Sequence, residues 1–589
     1  MKNRFLVLVL VLLVLPLGAA AEDITLQRAT AVAEAFFAKC GAVTRGGSHL
    51  VLVNSAEVAA TRSADVPFYI FNRREGGFVI VSGLDAACPV LGYSLENSFG
   101  DYNDMPENVR DWLDLYRGQI AQRRSSGARA TQAELDRWKA AETVTRVEAL
   151  PTSVDLQTPD WGQQDPYNRY CPLDSAGKRT LVGCIPVAMG EVMYLHRHPH
   201  HGTGTLPGYT KKGITLPALK LGHEYRWDTM LKKYRDEPYT DDQAEAVARL
   251  LFDIGMMMQV GYTASSTGGQ TRYISRLADY MGYDKSVLRY ARDYTSDAQW
   301  KSLLKEEIGA GYPVIFIANN GGTVGHCFVV DGYDSADRFL INWGWHSNSN
   351  GYYQLSAFGS YTIDQKAYFN IRPEHGGEDI YNFSVVSTTK DGYTYCGIDH
   401  LSGIISKGSS FSIRFGALCN YSFVTATGIE VNFAHKSRDG RIKEWLKDKP
   451  LTSSSLASGS SCWWKSATTL TVNETVEEGD YVEAMFRVNN AGEWRRFYNA
   501  DNDQDDVDVK LPMHLSERTY VSFLKSSKMV RVKSIPGSKY GMYDSDGKLL
   551  KSGTIGAAYS SIDVSSYPSG EYELEVLSGE QSISVKLVF

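Results

Sequence analysis

The chain has 589 residues, 43% of them hydrophobic and 12% aromatic, which is enough apolar material for several cores and predicts roughly three to five domains. A formal net charge of −7 and a pI near 6.0 leave no basic footprint and argue against nucleic acid as a partner. The eight cysteines (40, 88, 171, 184, 327, 396, 419 and 462) lack C-x-x-C or zinc spacing; in an exported chain they allow a few disulfides, for instance among 396, 419 and 462, but are too sparse to frame a fold.

Met1 to Arg4 is basic, Phe5 to Leu17 is apolar, and Ala19-Ala20-Ala21 is a small-residue cleavage signal before Glu22. Residues 1–21 therefore read as a signal peptide, and the mature chain as secreted or carried at a bacterial cell surface. No cysteine stands at the cleavage point to take a lipid, and no later apolar run is long enough to span a bilayer. Residues 22–148 read as a small α+β domain. It has an amphipathic helix from Leu26 to Ala38, strand-like runs at 51–53, 68–72, 77–83 and 90–94, and a second helix from Glu107 to Gln122 with Trp112, Leu115, Tyr116 and Ile120 on one side. The polar segment from Arg123 to Leu150 reads as an exposed connection, where proteolysis cuts first.

The chemistry begins at Leu181-Val182-Gly183-Cys184. Apolar residues at 185, 188, 189, 192, 193 and 195 have the spacing of a helix buried on most of its circumference, so Cys184 stands at a helix N-terminus. Pro186 suits the first turn, and Gly183 lets another backbone or a substrate approach the cysteine. The free N–H groups and positive dipole end favour a thiolate, the nucleophilic form. A lone cysteine on an apolar helix is more often structural, so a base is needed to decide between the two readings.

That base is His326. The β-formers from Gly325 to Tyr333 and from Arg338 to Trp345, separated by Asp334-Ser335-Ala336-Asp337, read as a hairpin. With the turn centred near Asp334, His326 lies opposite Asn342, close enough for the amide oxygen to hold an imidazole N–H. Asp242 to Gln259 is a second helix of this region, with Met256 to Met258 in its core; 261–270 is a polar loop; Tyr312 to Ile317 is a buried strand leading into Asn319 to Gly322. His196, His198, His200 and His201 do not share a helix face, because Pro199 stops the helix, so no metal site is expected there. Cys171 has no helix dipole, and Cys327 should point away from His326 on its strand; both read as structural.

After a charged linker at Pro373 to Asp379, short alternating strands such as 411–415 and 481–488 recur, and 378–515 reads as a β-sandwich. Asp501 to Asp508 lacks the glycine and final glutamate of an EF-hand loop and reads as a solvated turn. Residues 516–589 repeat the strand pattern on a smaller scale.

Four segments, in this order, carry a resemblance: Trp161-Gly162-Gln163-Gln164-Asp165-Pro166-Tyr167-Asn168; Gly183-Cys184 with its helix; Gly325-His326 through Asp331-Gly332; and Asn342-Trp343-Gly344-Trp345 with Asn350-Gly351-Tyr352-Tyr353. They resemble the streptopain family of bacterial papain-like cysteine peptidases, which includes the interpain-type enzymes. The 142 residues from Cys184 to His326 (326 − 184) lie within the roughly 130–150 that separate nucleophile and histidine in papain-like enzymes. The resemblance implies a papain-like domain at 149–374, with Cys184 as nucleophile, His326 as general base and acid, Asn342 and Trp343 supporting the histidine, Gly183 beside the nucleophile, and Gln163 as the side-chain donor of the oxyanion hole. It implies no cofactor and protein or peptide substrates. The runs at 71–83 and 91–94 look like the family's inhibitory pro-domain, which implies a zymogen whose residues 22–148 are its own inhibitor.

Two departures, Ile185 to Glu191 in the helix and His346-Ser347 where the family has glycines, bear on subsites rather than on the chemistry. Residues 516–589 resemble the C-terminal sorting domains of type IX secretion cargo, implying attachment to the cell surface or release. The expected fold is an α+β papain-like catalytic domain with an α+β pro-domain, followed by two all-β Ig-like sandwich domains. A surface binding protein with an inactive peptidase domain, or a transglutaminase, are the competing readings; the intact Cys/His/Asn set favours the peptidase.

Overall fold

The computed structural model describes residues 21–41, 49–60, 65–127, 129–143, 153–292, 297–318, 325–358, 365–377, 380–386, 388–390, 393–395, 397–489, 491–498, 509–524, 529–556, 560–568 and 570–588. The signal-peptide, 319–322 and 501–508 readings fall outside these residues. The chain divides into two units, one running to Tyr283 and resuming over Lys301–Pro373, the other comprising Asp284–Trp300 and Glu374–Phe589.

In the first unit, helix α1 (Leu26–Lys39) starts at a Thr25 cap and buries Ala29, Val32, Ala33 and Phe37. Strands β1 (Leu50–Leu52), β2 (Phe68–Arg73), β3 (Phe78–Ser82) and β4 (Val90–Ser94) follow, then helix α2 (Glu107–Ser125). Next comes a helix absent from the sequence reading, α3 (Gln132–Glu142), inside the segment taken as an exposed connection. The Thr131 and Glu134 side chains form a capping box at its start. Its Trp138 is fully buried and donates to the Ala87 carbonyl at 2.9 Å, and Glu142 pairs with Arg28 of α1 at 2.5 Å. The connection is therefore folded as far as Glu142.

The elements that position the site are β5 (Ser153–Asp155), α4 (Cys184–His196), α5 (Asp241–Met257), β6 (Val314–Ala318), β7 (His326–Asp334), β8 (Phe339–Asn342), β9 (Gly351–Tyr353) and β10 (Lys366–Phe369). One sheet runs in the order β1-β2-β3-β4-β9-β8-β7-β6-β10, with β5 paired to β7. The N-terminal meander thus continues directly into the strands that carry His326 and Asn342, through the pairs Tyr93↔Tyr352 and Gly92↔Tyr353. Helix α4 is buried from Ile185 to Tyr194, as its apolar periodicity requires.

The second unit is all β apart from short helical segments. A six-stranded sheet is built around Ala426–Lys436 and Tyr481–Val488, and a four-stranded sheet near the C-terminus pairs Glu571–Ser578 with Gln581–Val588. Phe383, Phe415, Val431 and Phe486 belong to the same buried cluster as Val530, Met542 and Leu574. A disulfide between Cys419 and Cys462 is ruled out by register. Cys419 faces Ser461 and Leu418 faces Cys462, so alternation sends the two thiols to opposite faces. Cys396 lies outside the described residues.

This unit also holds a charged cluster in its interior. His435 is fully buried, with Nδ1 3.0 Å from Glu444 and Nε2 2.9 Å from Asp480, and Asp480 also accepts from Lys443 at 2.9 Å. A His435→Leu substitution leaves two enclosed carboxylates without their shared partner. We expect it to cost about 3–5 kcal/mol. Calorimetry would read this as a lowered midpoint for one transition, and an unchanged profile would contradict it.

Candidate active site

Gly183 closes the loop before α4 with φ +98°, and a Cβ there would stand 2.9 Å from the Thr267 carbonyl oxygen. Only glycine fits, and the fit draws the 263–269 loop against Cys184. Cys184 is the first residue of α4, as its sequence context required. Its thiol is not in the thiolate range, however. Burial pushes its pKa up and outweighs the backbone N–H groups of Cys327, Ile185 and Cys184 itself, and the carboxylate of Glu107 pushes it further up.

His326 opens β7, and its ring is largely covered. Its Nε2 lies 3.1 Å from Asp111 and 4.0 Å from Glu107, both on α2. The closer contact is an ion pair. Burial raises the pKa of Asp111, and the neighbouring His326 opposes that shift. Gln163 is buried, and its carbonyl accepts from Val182 at 3.1 Å, which ties its loop to the residues just ahead of Cys184. Cys184, His326 and Gln163 line one cleft of about 520 Å³, together with Ser265 to Gly268, Arg235 and His346; Asp104 to Asn108 enter it from the other side.

The expected pairing of His326 with Asn342 is corrected. A bulge between Val330 and Gly332 and a turn closed by Tyr333↔Phe339 place Asn342 opposite Val329, three positions along from His326, or about 10 Å at strand rise. The turn is centred beyond Asp334 because that side chain accepts from the N–H groups of Ala336 and Arg338, which fixes a wider loop. The Asn342 amide is committed elsewhere: it donates to Thr158 and the Pro159 carbonyl and accepts from Gly344 and Asn350. Trp343 is buried, with its ring 4.8 Å from Phe328, which shares the His326 face of β7.

The sequence reading missed what α2 does here. Trp112 packs edge-on against Phe328 at 5.9 Å and Trp343 at 5.8 Å, and Asn108 donates to the Trp343 carbonyl at 2.9 Å. One helix therefore sets a carboxylate on His326, an amide on Trp343 and an indole on the strand between them. Glu191 of α4 and Asp331 of β7 are buried acids; burial raises Asp331 to about 7 against the hydrogen bonds from Thr158. The histidines 196, 198 and 200 turn to separate partners, Tyr283, the Gly282 carbonyl and Glu224.

Residues 161–353 match the peptidase C10 family, and residues 21–120 match the Spi protease inhibitor family. The region from 161 to 353 is thus similar to the peptidase C10 family. It is 27% identical over 397 residues to the thiol protease/hemagglutinin PrtT of Porphyromonas gingivalis, covering 63% of this chain and 44% of that protein. It is 29% identical over 306 residues to streptopain of Streptococcus pyogenes, covering 49% of this chain and 74% of that one. The chain thus spans less than half the length of the first of these relatives and three quarters of the second. Among solved structures, a prointerpain A fragment of Prevotella intermedia is similar at 24% identity and a TM-score of 0.44, over 55% of this chain and 99% of that fragment. The C10 match contains Cys184, His326 and Gln163, and the inhibitor match contains the first half of α2 with Glu107, Asn108, Asp111 and Trp112.

Proposed function

We propose that the chain is an exported cysteine endopeptidase made as a zymogen. Cys184 attacks the peptide carbonyl, and His326 takes the thiol proton and delivers it to the leaving amine. Water then hydrolyses the thioester. Gln163 and the Cys184 N–H hold the oxyanion, a donor of this kind being worth about 3 kcal/mol in the barrier. Trp343 backs the strand face of His326, Gly183 keeps the acyl side open, and Asn342 acts by anchoring the segment from Trp343 to Trp345. The observation that carries this reading is the convergence of Cys184, His326 and Gln163 on one cleft that the start of α2 borders. Residues 1–21 act as the signal peptide and 22–148 as the inhibitor. Residues 378–515 and 516–589 form two Ig-like sandwiches, the last serving surface attachment or release.

The state of α3 narrows the activation site. With α3 folded to Glu142 and β5 starting at Ser153, the maturing cut falls between 143 and 152. Mass spectrometry of the purified chain from residue 22, incubated under reducing conditions with a denatured protein substrate, tests both points. We expect one new N-terminus in that window, appearing together with substrate hydrolysis. A primary cut inside 123–142, or a matured chain that leaves the substrate intact, would contradict the reading.

A further inference from the structure

His346 stands in the cleft with its ring 5.4 Å from that of Tyr167. Its φ is +55°, a left-handed conformation that strains a residue with a Cβ. Its N–H donates to the Trp161 carbonyl at 2.9 Å, which lays the ring over Gly162; a Cβ on Gly162 would come within 2.4 Å of Nε2. Its Nδ1 is buried with no hydrogen-bond partner among the described residues, which is unfavourable for a polar atom. Burial, then the nearby charge of Arg235, lowers the pKa of His346 to about 4, so the ring is neutral at ordinary pH. Arg235 is exposed in the same cleft and forms no ion pair among the described residues. The segment that borders this cleft from the inhibitory side presents Asp104, Glu107 and Arg110 to it.

The chemistry says which half of a substrate meets these groups. His326 must hand its proton to the leaving amine, so the departing half lies on the His326 side, where Trp345 and His346 follow β8. The Ser265 to Gly268 loop, packed on Gly183, faces the acyl half. A carboxylate only accepts hydrogen bonds. The neutral ring can donate from Nδ1 to one of its oxygens while Arg235 donates to the other and supplies the charge.

We propose that His346 and Arg235 form an acid-selecting subsite for the departing half of the substrate, so that cleavage is favoured where Asp or Glu is the first or second residue after the scissile bond. This rests on the cysteine endopeptidase reading. The imidazole nitrogen and the guanidinium, both without a partner among the described residues, and the glycine that makes room for the ring then serve one purpose.

The test uses the matured peptidase and quenched fluorescent peptides that differ only by Glu or Gln at the first, or at the second, position after the cut. We expect kcat/KM to favour Glu by about tenfold at one of these positions, the size of one hydrogen bond to a charged group. The ratio should fall to near one in both His346→Gly, which suits the positive φ, and Arg235→Gln, which changes an exposed side chain. A Glu/Gln ratio near one in the wild type, or a preference that survives in either variant, overturns the subsite. Denatured protein as a parallel substrate separates the two claims. If it is cleaved while the peptides show no preference, only the subsite fails. If wild type cleaves neither peptide nor protein, the endopeptidase reading fails and the subsite with it.

Discussion

A Cys184→Ala chain is expected to lose at least about 10⁴-fold in kcat/KM on protein substrates and to remain at full length, because removing the nucleophile ends covalent catalysis and leaves only binding and the oxyanion donors. Cys171 and Cys327 are controls set by the fold. Both are buried thiols whose pKa is raised chiefly by burial, to about 12 for Cys171, and Cys171→Ala should retain cleavage. The inert variant should still be cut between 143 and 152 when wild-type enzyme is added, since the substitution leaves that segment unchanged. Retained hydrolysis by the purified alanine variant would remove Cys184 from the mechanism.

The second large effect is expected from Trp112→Ala in α2. The indole is buried against Phe316, Phe328 and Trp343, so truncation costs about 3–5 kcal/mol. The cost falls on the latent form, because those contacts exist only while α2 is docked on the strand behind His326. Even half of it shifts the docking equilibrium by about tenfold to a hundredfold, which should shorten the lag before self-activation by a similar factor. The peptidase matured from this variant should match wild type in kcat/KM, because Trp112 has been cut away. Asp111→Ala should act in the same direction but more weakly, its carboxylate being partly solvated beside His326. An unchanged lag in Trp112→Ala would mean that latency depends on other contacts.

These two expectations draw on parts of the molecule that were not equally legible in the sequence. The helix at Cys184 and the strand at His326 could be read because each is dictated locally, one by apolar residues at helical spacing behind a Gly-Cys pair, the other by a run of β-formers. The register between β7 and β8 could not. It depends on a bulged residue, Asp331, and on the side chain of Asp334 capping the turn, and a small change in the turn centre moves Asn342 three places away from His326. Helix α3 was hidden by polarity, since only Trp138 is buried along it, although Thr131 and Glu134 stood at capping-box spacing. The protonated state of Cys184 was beyond reach for another reason. The helix N-terminus argues for a thiolate, and only the fold shows that burial and Glu107, 77 positions earlier in the chain (184 − 107), outweigh it.

The most direct test of the central claim, that Cys184 is the nucleophile and α2 silences it, is the alkylation rate of each cysteine by iodoacetamide, mapped by peptide mass spectrometry before and after maturation. With α2 docked, the Cys184 thiol is half-buried and its pKa is raised, so it should react slowly. Once α2 has been removed, the account predicts that Cys184 becomes the fastest cysteine to react, by about a hundredfold over its latent rate, and that activity disappears in step with its labelling. Full labelling of Cys184 with activity intact, or equal rates before and after maturation, would contradict it.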